Sequence, residues 1–410
     1  MLLAKNKITS AAEKHTVLAL LVYIIIYSIP NVLGTSSKEA PTLFNYWQLF
    51  SLFIIGIIAI SLALRGKLGI SKLFIVSLIM MGLTISSIIT VYYATPGFIS
   101  GKYIINEFVP VFLVGIFYGV LGSSKISENA FWRFLKWFVV FIIFGSIYNL
   151  MLNFSTLSAF WTANSAYDYE YSSFFENRNA FAFMVAVAIT AIVYLYRRRQ
   201  ISRIKFGLIF SLFAFNLLLT LSRGGMLFAA VFLIVFYFQI GYRSILKLLS
   251  VMAIAGLILL SILGMSFIVS EIVRPTTGLT QRDAIHSYGL TYFKNNNTLT
   301  GSGDTIRPSL DNLFKVSSLH STYLDILITG GILLSIFYVG IIMAVFVTSK
   351  RIRKVNADLG RFFLAVLAAF LVYSYIETAT PFRISSTSAT VSAFIFILPF
   401  YVKNGLTEKR

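Results

Sequence analysis

The chain contains no cysteine, which excludes disulfides, thiolate nucleophiles and zinc–thiolate sites. Charge is scarce as well: Asp, Glu, Lys and Arg make up 12% of the 410 residues, about half the share of a soluble globular domain. Only three histidines are present. Hydrophobic residues are abundant, at 58%, with a mean hydropathy of +0.83, so a soluble domain is excluded. Alternation with a period of two is absent. A β-barrel is excluded with it, leaving helices as the means of pairing every backbone group within lipid.

A hydrocarbon core about 30 Å thick takes roughly 20 apolar residues per helix, and the sequence offers about twelve such stretches. They run over 16–34, 43–64, 73–94, 108–122, 131–153, 180–196, 206–221, 226–241, 245–270, 322–348, 362–376 and 388–402. The first is too long for a removable signal peptide and is expected to stay as a helix. With a cytoplasmic N-terminus, 24 of the 34 basic residues fall in cytoplasmic segments, and both termini lie inside. The inner segments then carry +20 and the outer ones −1, so the net +19 is a topology signal rather than a nucleic-acid signal. The fold expected is one all-α polytopic membrane domain over 1–410, without soluble domains.

Two outer segments interrupt the short loops. Residues 154–179 hold aromatics and acids, including Asp168 and Glu170, and end in Asn177-Arg178-Asn179. An acid pair around one aromatic in a wet loop reads as solvated surface rather than a metal site. Residues 271–321 are long enough to cap the outer face, and 281–294 reads as an amphipathic helix with Ile285, Tyr288 and Tyr292 on one face and Arg282 at its border. His286 shares that loop helix. Between two spans, Leu221-Ser222-Arg223-Gly224-Gly225 places Arg223 at the outer interface, where a charge requires a partner or water. Its glycines are expected to make the tight turn and to let a ligand approach. His320 opens the next long helix, beside Tyr323, and Glu377 and Arg383 flank the outer turn between the last two helices, to pair with each other or to extend an anion site. Arg178, Arg223, Arg282 and Arg383, joined by His320, read as a site for an anion.

The order Asn177-Arg178-Asn179, Leu221-Ser222-Arg223-Gly224-Gly225, Arg282, Gly301-Ser302-Gly303, then His320-Ser321 followed by Gly331, resembles the O-antigen ligase and O-antigen polymerase superfamily, over roughly 154–342. The resemblance implies a metal-independent, GT-C-like helical glycosyltransferase without a cofactor, in a bacterial cytoplasmic membrane, acting on undecaprenyl-pyrophosphate-linked sugars at the outer face. The residue types suit that chemistry. Guanidinium makes bidentate contacts to phosphate and stays charged in an apolar setting, so Arg223 and Arg282 are expected to clamp the departing pyrophosphate. An imidazole titrates near neutrality, which makes His320 the candidate base for the incoming sugar hydroxyl. Arg178, Asn179, Tyr323 and Arg383 are the candidate substrate-binding residues, and inversion at the anomeric carbon follows from the resemblance.

The expectation is therefore a polysaccharide polymerase that joins lipid-linked oligosaccharide repeats, donor and acceptor both bound in the bilayer. A flippase and a chain-length regulator of the same pathway are its expected partners. The alternatives are a ligase that moves the finished glycan to another acceptor and a lipid-linked-sugar flippase. A flippase needs charges along a path through the bilayer, whereas these residues collect at one face.

Overall fold

The structure, a computed structural model, describes residues 127–157, 171–175, 177–241, 278–316 and 318–380, with isolated positions at 79–89 and 388–406. The spans expected before residue 127 and at 245–270, the Asp168/Glu170 pair and Arg383 lie outside the described residues. Within them the chain is helical, with no strand. Eight α-helices are described: α1 (Glu128–Leu152), α2 (Arg178–Arg197), α3 (Arg203–Leu219), α4 (Arg223–Phe238), α5 (Gly278–Asn295), α6 (Arg307–Phe314), α7 (Thr322–Val355) and α8 (Ala357–Ile376). Of these, α1, α2, α7 and α8 are long and apolar enough to cross a membrane, and α4 is a shorter apolar helix.

Local sequence sets most of these starts. Ser127, Asn177, Ser202, Ser222, Ser321 and Asn356 each sit at an N-cap and accept a hydrogen bond from a first-turn backbone N–H. Because Ser222 caps α4, that helix opens at Arg223, three residues before the apolar run that begins at Met226.

Helix α2 is the axis of the bundle. Ala180 to Leu195 are almost all buried, between α1, α3 and α4, and the alanines at 180, 182, 186, 188 and 191 let the neighbours approach. The glycines of the 221–225 turn serve this packing instead of the reversal itself. A Cβ on Gly225 lies 2.8 Å from that of Ala182, and one on Gly224 lies 3.0 Å from Cγ of Glu377. The left-handed residue of the turn is Leu221, at φ 50°.

Aromatic rings join α2, α4 and α8 beneath the turn. Phe183 stacks on Tyr373 at 4.4 Å, and Phe228 meets Phe183 edge-on at 5.2 Å. At the far end of α2, Arg198 pairs with Glu128 at 2.9 Å and Asp358 at 3.6 Å, and Arg361 reaches Asp358 at 3.2 Å. The two ends are about 30 Å apart, as 20 residues of helix require. Trp137, Phe144, Met151, Leu208, Phe238, Ile336 and Met343 face outward, the arrangement a lipid surface calls for.

Helix α7 is broken at Gly331, where φ is 67° and ψ −167°. The loop before α6 fills the break: Ile332 N–H donates to Thr298 O at 2.9 Å, Leu333 N–H to Leu299 O at 3.2 Å, and Ser302 N–H to Ile328 O at 2.8 Å. Backbone meets backbone so closely that a Cβ on Gly301 stands 2.4 Å from Thr329 O, and one on Gly331 stands 2.4 Å from Leu299 O. Glycine is the residue that fits either position, by space and by positive φ. This seam fixes the cap segment, α5 and α6, on α7. Its small core is Ile285, Ile306, Leu310, Leu319 and Ile328, with Tyr288 and Tyr292 packed against it, as the amphipathic pattern anticipates.

Candidate active site

At the end of the bundle away from the Arg198 cluster, several elements converge on one carboxylate, that of Glu377. It caps the C-terminus of α8 and is buried, with 7% of its surface accessible. Its backbone is pinned to the first turn of α7. Thr322 donates from N–H and Oγ1 to Glu377 O at 3.2 and 2.9 Å, and Ala379 N–H donates back to Thr322 Oγ1 at 2.8 Å. Thr380 Oγ1 donates to Asp325 Oδ2 at 2.7 Å one turn further along α7.

The side chain gathers residues from three other elements. Arg282 Nη2, from the cap helix α5, reaches Glu377 Oε1 at 3.0 Å. Asn179 Nδ2, in the first turn of α2, donates to the same oxygen at 3.4 Å. His320 Nδ1 stands 3.7 Å from Oε2, buried and with no hydrogen-bond partner among the described residues. Gly224, in the first turn of α4, abuts the carboxylate's stem.

Three helix starts thus meet at Glu377: α2 through Asn179 and α4 through Gly224 at its side chain, and α7 through Thr322 at its backbone carbonyl. Each helix start carries about half a positive charge, so the region attracts an anion even before the arginines are counted. Arg178 and Arg223 are the first residues of α2 and α4 and flank the contacts made by Asn179 and Gly224. Glu377 stands at the opposite, negative end of its own helix, where a carboxylate is poorly placed unless cations surround it.

His320 has φ +50°, a left-handed conformation that a non-glycine residue keeps only when its surroundings impose it. His286, one turn beyond Arg282 on α5, meets the Tyr375 ring at a steep angle, 6.4 Å between centroids, and its Nε2 is buried without a hydrogen-bond partner among the described residues. Burial lowers the His286 pKa below its ordinary value, Arg282 and His320 add to the effect, and the Leu319 carbonyl and Asp283 oppose it.

Among the sequence candidates, Asn179, Arg282 and His320 are brought together, with Arg178 and Arg223 beside them in the chain. The Tyr323 hydroxyl is engaged elsewhere, donating to Leu371 O at 2.7 Å within the bundle. Glu377 pairs with Arg282, while Arg383, the partner considered for it, lies outside the described residues. A signal for Glu377 was present in the sequence: an acid directly after an apolar span, at the end of a helix that disfavours it. Arg307, which the motif order passed over, pairs with Asp304 at 2.6 Å and lies 4.0 Å from Asp325, behind the pinned turn. An apolar groove lined by Phe134, Phe138, Thr190, Phe363 and Leu398 lies toward the Arg198 end and is lined by no titratable side chain.

No curated protein matches the chain. Residues 208–339 match the family model described as O-Antigen ligase. The match begins within α3, takes in Arg223, Arg282, both seam glycines and His320, and ends within α7, short of Glu377. Covering the stretch that supplies two arginines and the histidine of the site, it supports the O-antigen ligase and polymerase superfamily for this chain, and with it a membrane glycan-ligating or glycan-polymerising kind of function on lipid-linked substrates.

Proposed function

We propose that the chain is a polysaccharide polymerase that transfers undecaprenyl-pyrophosphate-linked oligosaccharide onto a second lipid-linked repeat at the outer face of a bacterial cytoplasmic membrane. The observation that carries this reading is the convergence of Arg282, Asn179 and His320 on Glu377 at the meeting point of three helix N-termini.

In this reading the donor diphosphate lies against the starts of α2 and α4, held by Arg223 and Arg282, whose forked N–H groups match phosphate oxygens. The acceptor hydroxyl approaches His320 from the other side of the anomeric carbon. Its proton passes to the imidazole as the new C–O bond forms, the bond from the anomeric carbon to the diphosphate breaks, and the electron pair leaves with undecaprenyl pyrophosphate. Glu377 faces Nδ1 and stabilises the imidazolium, the role a carboxylate plays behind a histidine base. Displacement from one side inverts the anomeric centre. Arg178 and Asn179 line the donor side, Arg383, six residues after Glu377 in the sequence, is assigned to the same anion, and Tyr323 takes a packing role instead of a sugar-binding one.

The family description favours a second reading, a ligase that moves the glycan to a different acceptor. A flippase is disfavoured because the site residues among those described gather at one end of the bundle. The test is to incubate the purified protein in liposomes with its lipid-linked repeat alone and to resolve the products on a gel. A ladder of multiples that disappears in His320→Ala supports the polymerase. Transfer that appears only with a second acceptor supports the ligase, and no transfer under either condition overturns both.

A further inference from the structure

Asp325 is a buried carboxylate that no step of the transfer uses. It lies in the first turn of α7, is 5% exposed, and as a buried charge depends on the groups that meet it. Its two oxygens serve different segments. Oδ2 accepts from Thr380 Oγ1 at 2.7 Å, and Oδ1 stands 4.0 Å from Nη2 of Arg307, the first residue of α6 in the cap. Thr380 is itself buried and comes three residues after Glu377.

The segment 377–380 therefore meets α7 at two places one helical turn apart. Thr322 holds the Glu377 carbonyl and the Ala379 N–H, and Asp325 holds the Thr380 hydroxyl. One attachment leaves a segment free to swing about it, and a second fixes its direction. The bond to Asp325 is charge-assisted, roughly twice as strong as a neutral one. Direction matters at Glu377 because that residue is extended, with φ −140° and ψ 151°, so the run of the backbone beyond it decides where its side chain points.

We infer that Asp325 is a positioning residue for the transfer reaction: by taking the Thr380 hydroxyl it fixes the course of the chain after α8 and so holds the Glu377 carboxylate between Arg282 and His320. Its approach to Arg307 sets the cap, which carries Arg282, against the same turn of α7. The inference rests on the reading of Glu377 as the partner of the His320 base.

Two measurements on the full-length protein in liposomes test it. The first is hydrogen–deuterium exchange over residues 377–380, which does not depend on the reaction. Thr380→Val is expected to speed exchange there and leave α1 unchanged, while Thr380→Ser, which keeps the hydroxyl, restores the protection. The second is steady-state transfer, with pyrophosphate binding measured beside it. Thr380→Val is expected to lower kcat by roughly ten-fold, the cost of a misplaced catalytic group, while pyrophosphate binds at full stoichiometry and no more weakly than to the wild type. Asp325→Ala is expected to lower kcat at least as far, and adding Thr380→Val to it costs nothing more, because the two side chains act through one bond. Asp325→Asn, whose amide still meets the Thr380 hydroxyl, recovers most of the kcat.

A carboxylate that served only the helix start would give the reverse pattern, with Asp325→Asn as damaging as Asp325→Ala and Thr380→Val harmless. That pattern, unchanged exchange at 377–380, or losses that add in the double variant overturns the assignment. If Glu377→Gln itself transfers at the wild-type rate, the reading of the site fails first, and the exchange data then show separately whether Asp325 holds the segment.

Discussion

At the C-terminus of α8 a carboxylate meets the negative end of a helix, and Arg282, Asn179 and His320 surround it. Glu377 is paired with the guanidinium that the diphosphate is to take, so charge removal has opposite effects on binding and chemistry. Glu377→Gln is expected to bind inorganic pyrophosphate more tightly, measured by calorimetry, while kcat for glycan transfer falls by about a hundred-fold, the usual worth of a general base in working order. Arg282→Lys keeps the charge and loses the fork. Its turnover is expected to drop on the order of a hundred-fold, with little change in thermal stability in detergent. The sequence points to His320 and Arg282 by residue type alone, because an imidazole and a guanidinium near the end of an apolar span are uncommon. It does not reveal their common partner, since Glu377 lies 57 positions from His320 and 95 from Arg282, and no local pattern records such pairings.

Helices were the most legible level. The apolar runs at 131–153, 180–196 and 362–376 reappear as α1, α2 and α8, each extended by a few polar residues up to a cap that hydropathy does not weigh. Glycine function is less legible in the sequence. Gly224 and Gly225 stand in a turn-like string yet serve helix packing, while Gly301 and Gly331, 30 positions apart, form one joint. Gly331→Ala is expected to destabilise the cap by at least about 1–3 kcal/mol, through both the positive φ and the backbone contact, and to show as early proteolysis within 278–316. Acid is expected to loosen α5 in the same way. His286 titrates below its ordinary value when docked, so an undocked cap takes up a proton that the docked cap refuses. Docking is complete above the ordinary value of about 6.5 and weakens as pH falls below it, until the docked form titrates too. Arg282, Asp283 and His320 are the charged or titratable groups acting on it. Amide exchange in α5 is therefore expected to rise on acidification in the wild type, and much less in His286→Phe.

Across the whole molecule, the ion pairs of Arg198, Glu128, Asp358 and Arg361 close one end of the bundle and the Glu377 site closes the other. The absence of native cysteine makes that polarity directly testable. Single cysteines at Leu313 and at Lys354 are expected to react with an impermeant maleimide from opposite sides of right-side-out vesicles, Leu313→Cys from outside. The seam between residues 298–302 and Gly331 carries a mechanical corollary. Three backbone hydrogen bonds tie the cap to α7 at its break, so the two turn as one body, and the cap bears Arg282 while α7 begins beside His320. A membrane span tilts to match the thickness of its bilayer. A tilt of α7 about its pin at Thr322 and Glu377 is expected to pass through the seam to the cap and to shift the arginine that grips the donor relative to the α8 carboxylate. Lipid chain length thereby becomes a control on the geometry of the reacting groups.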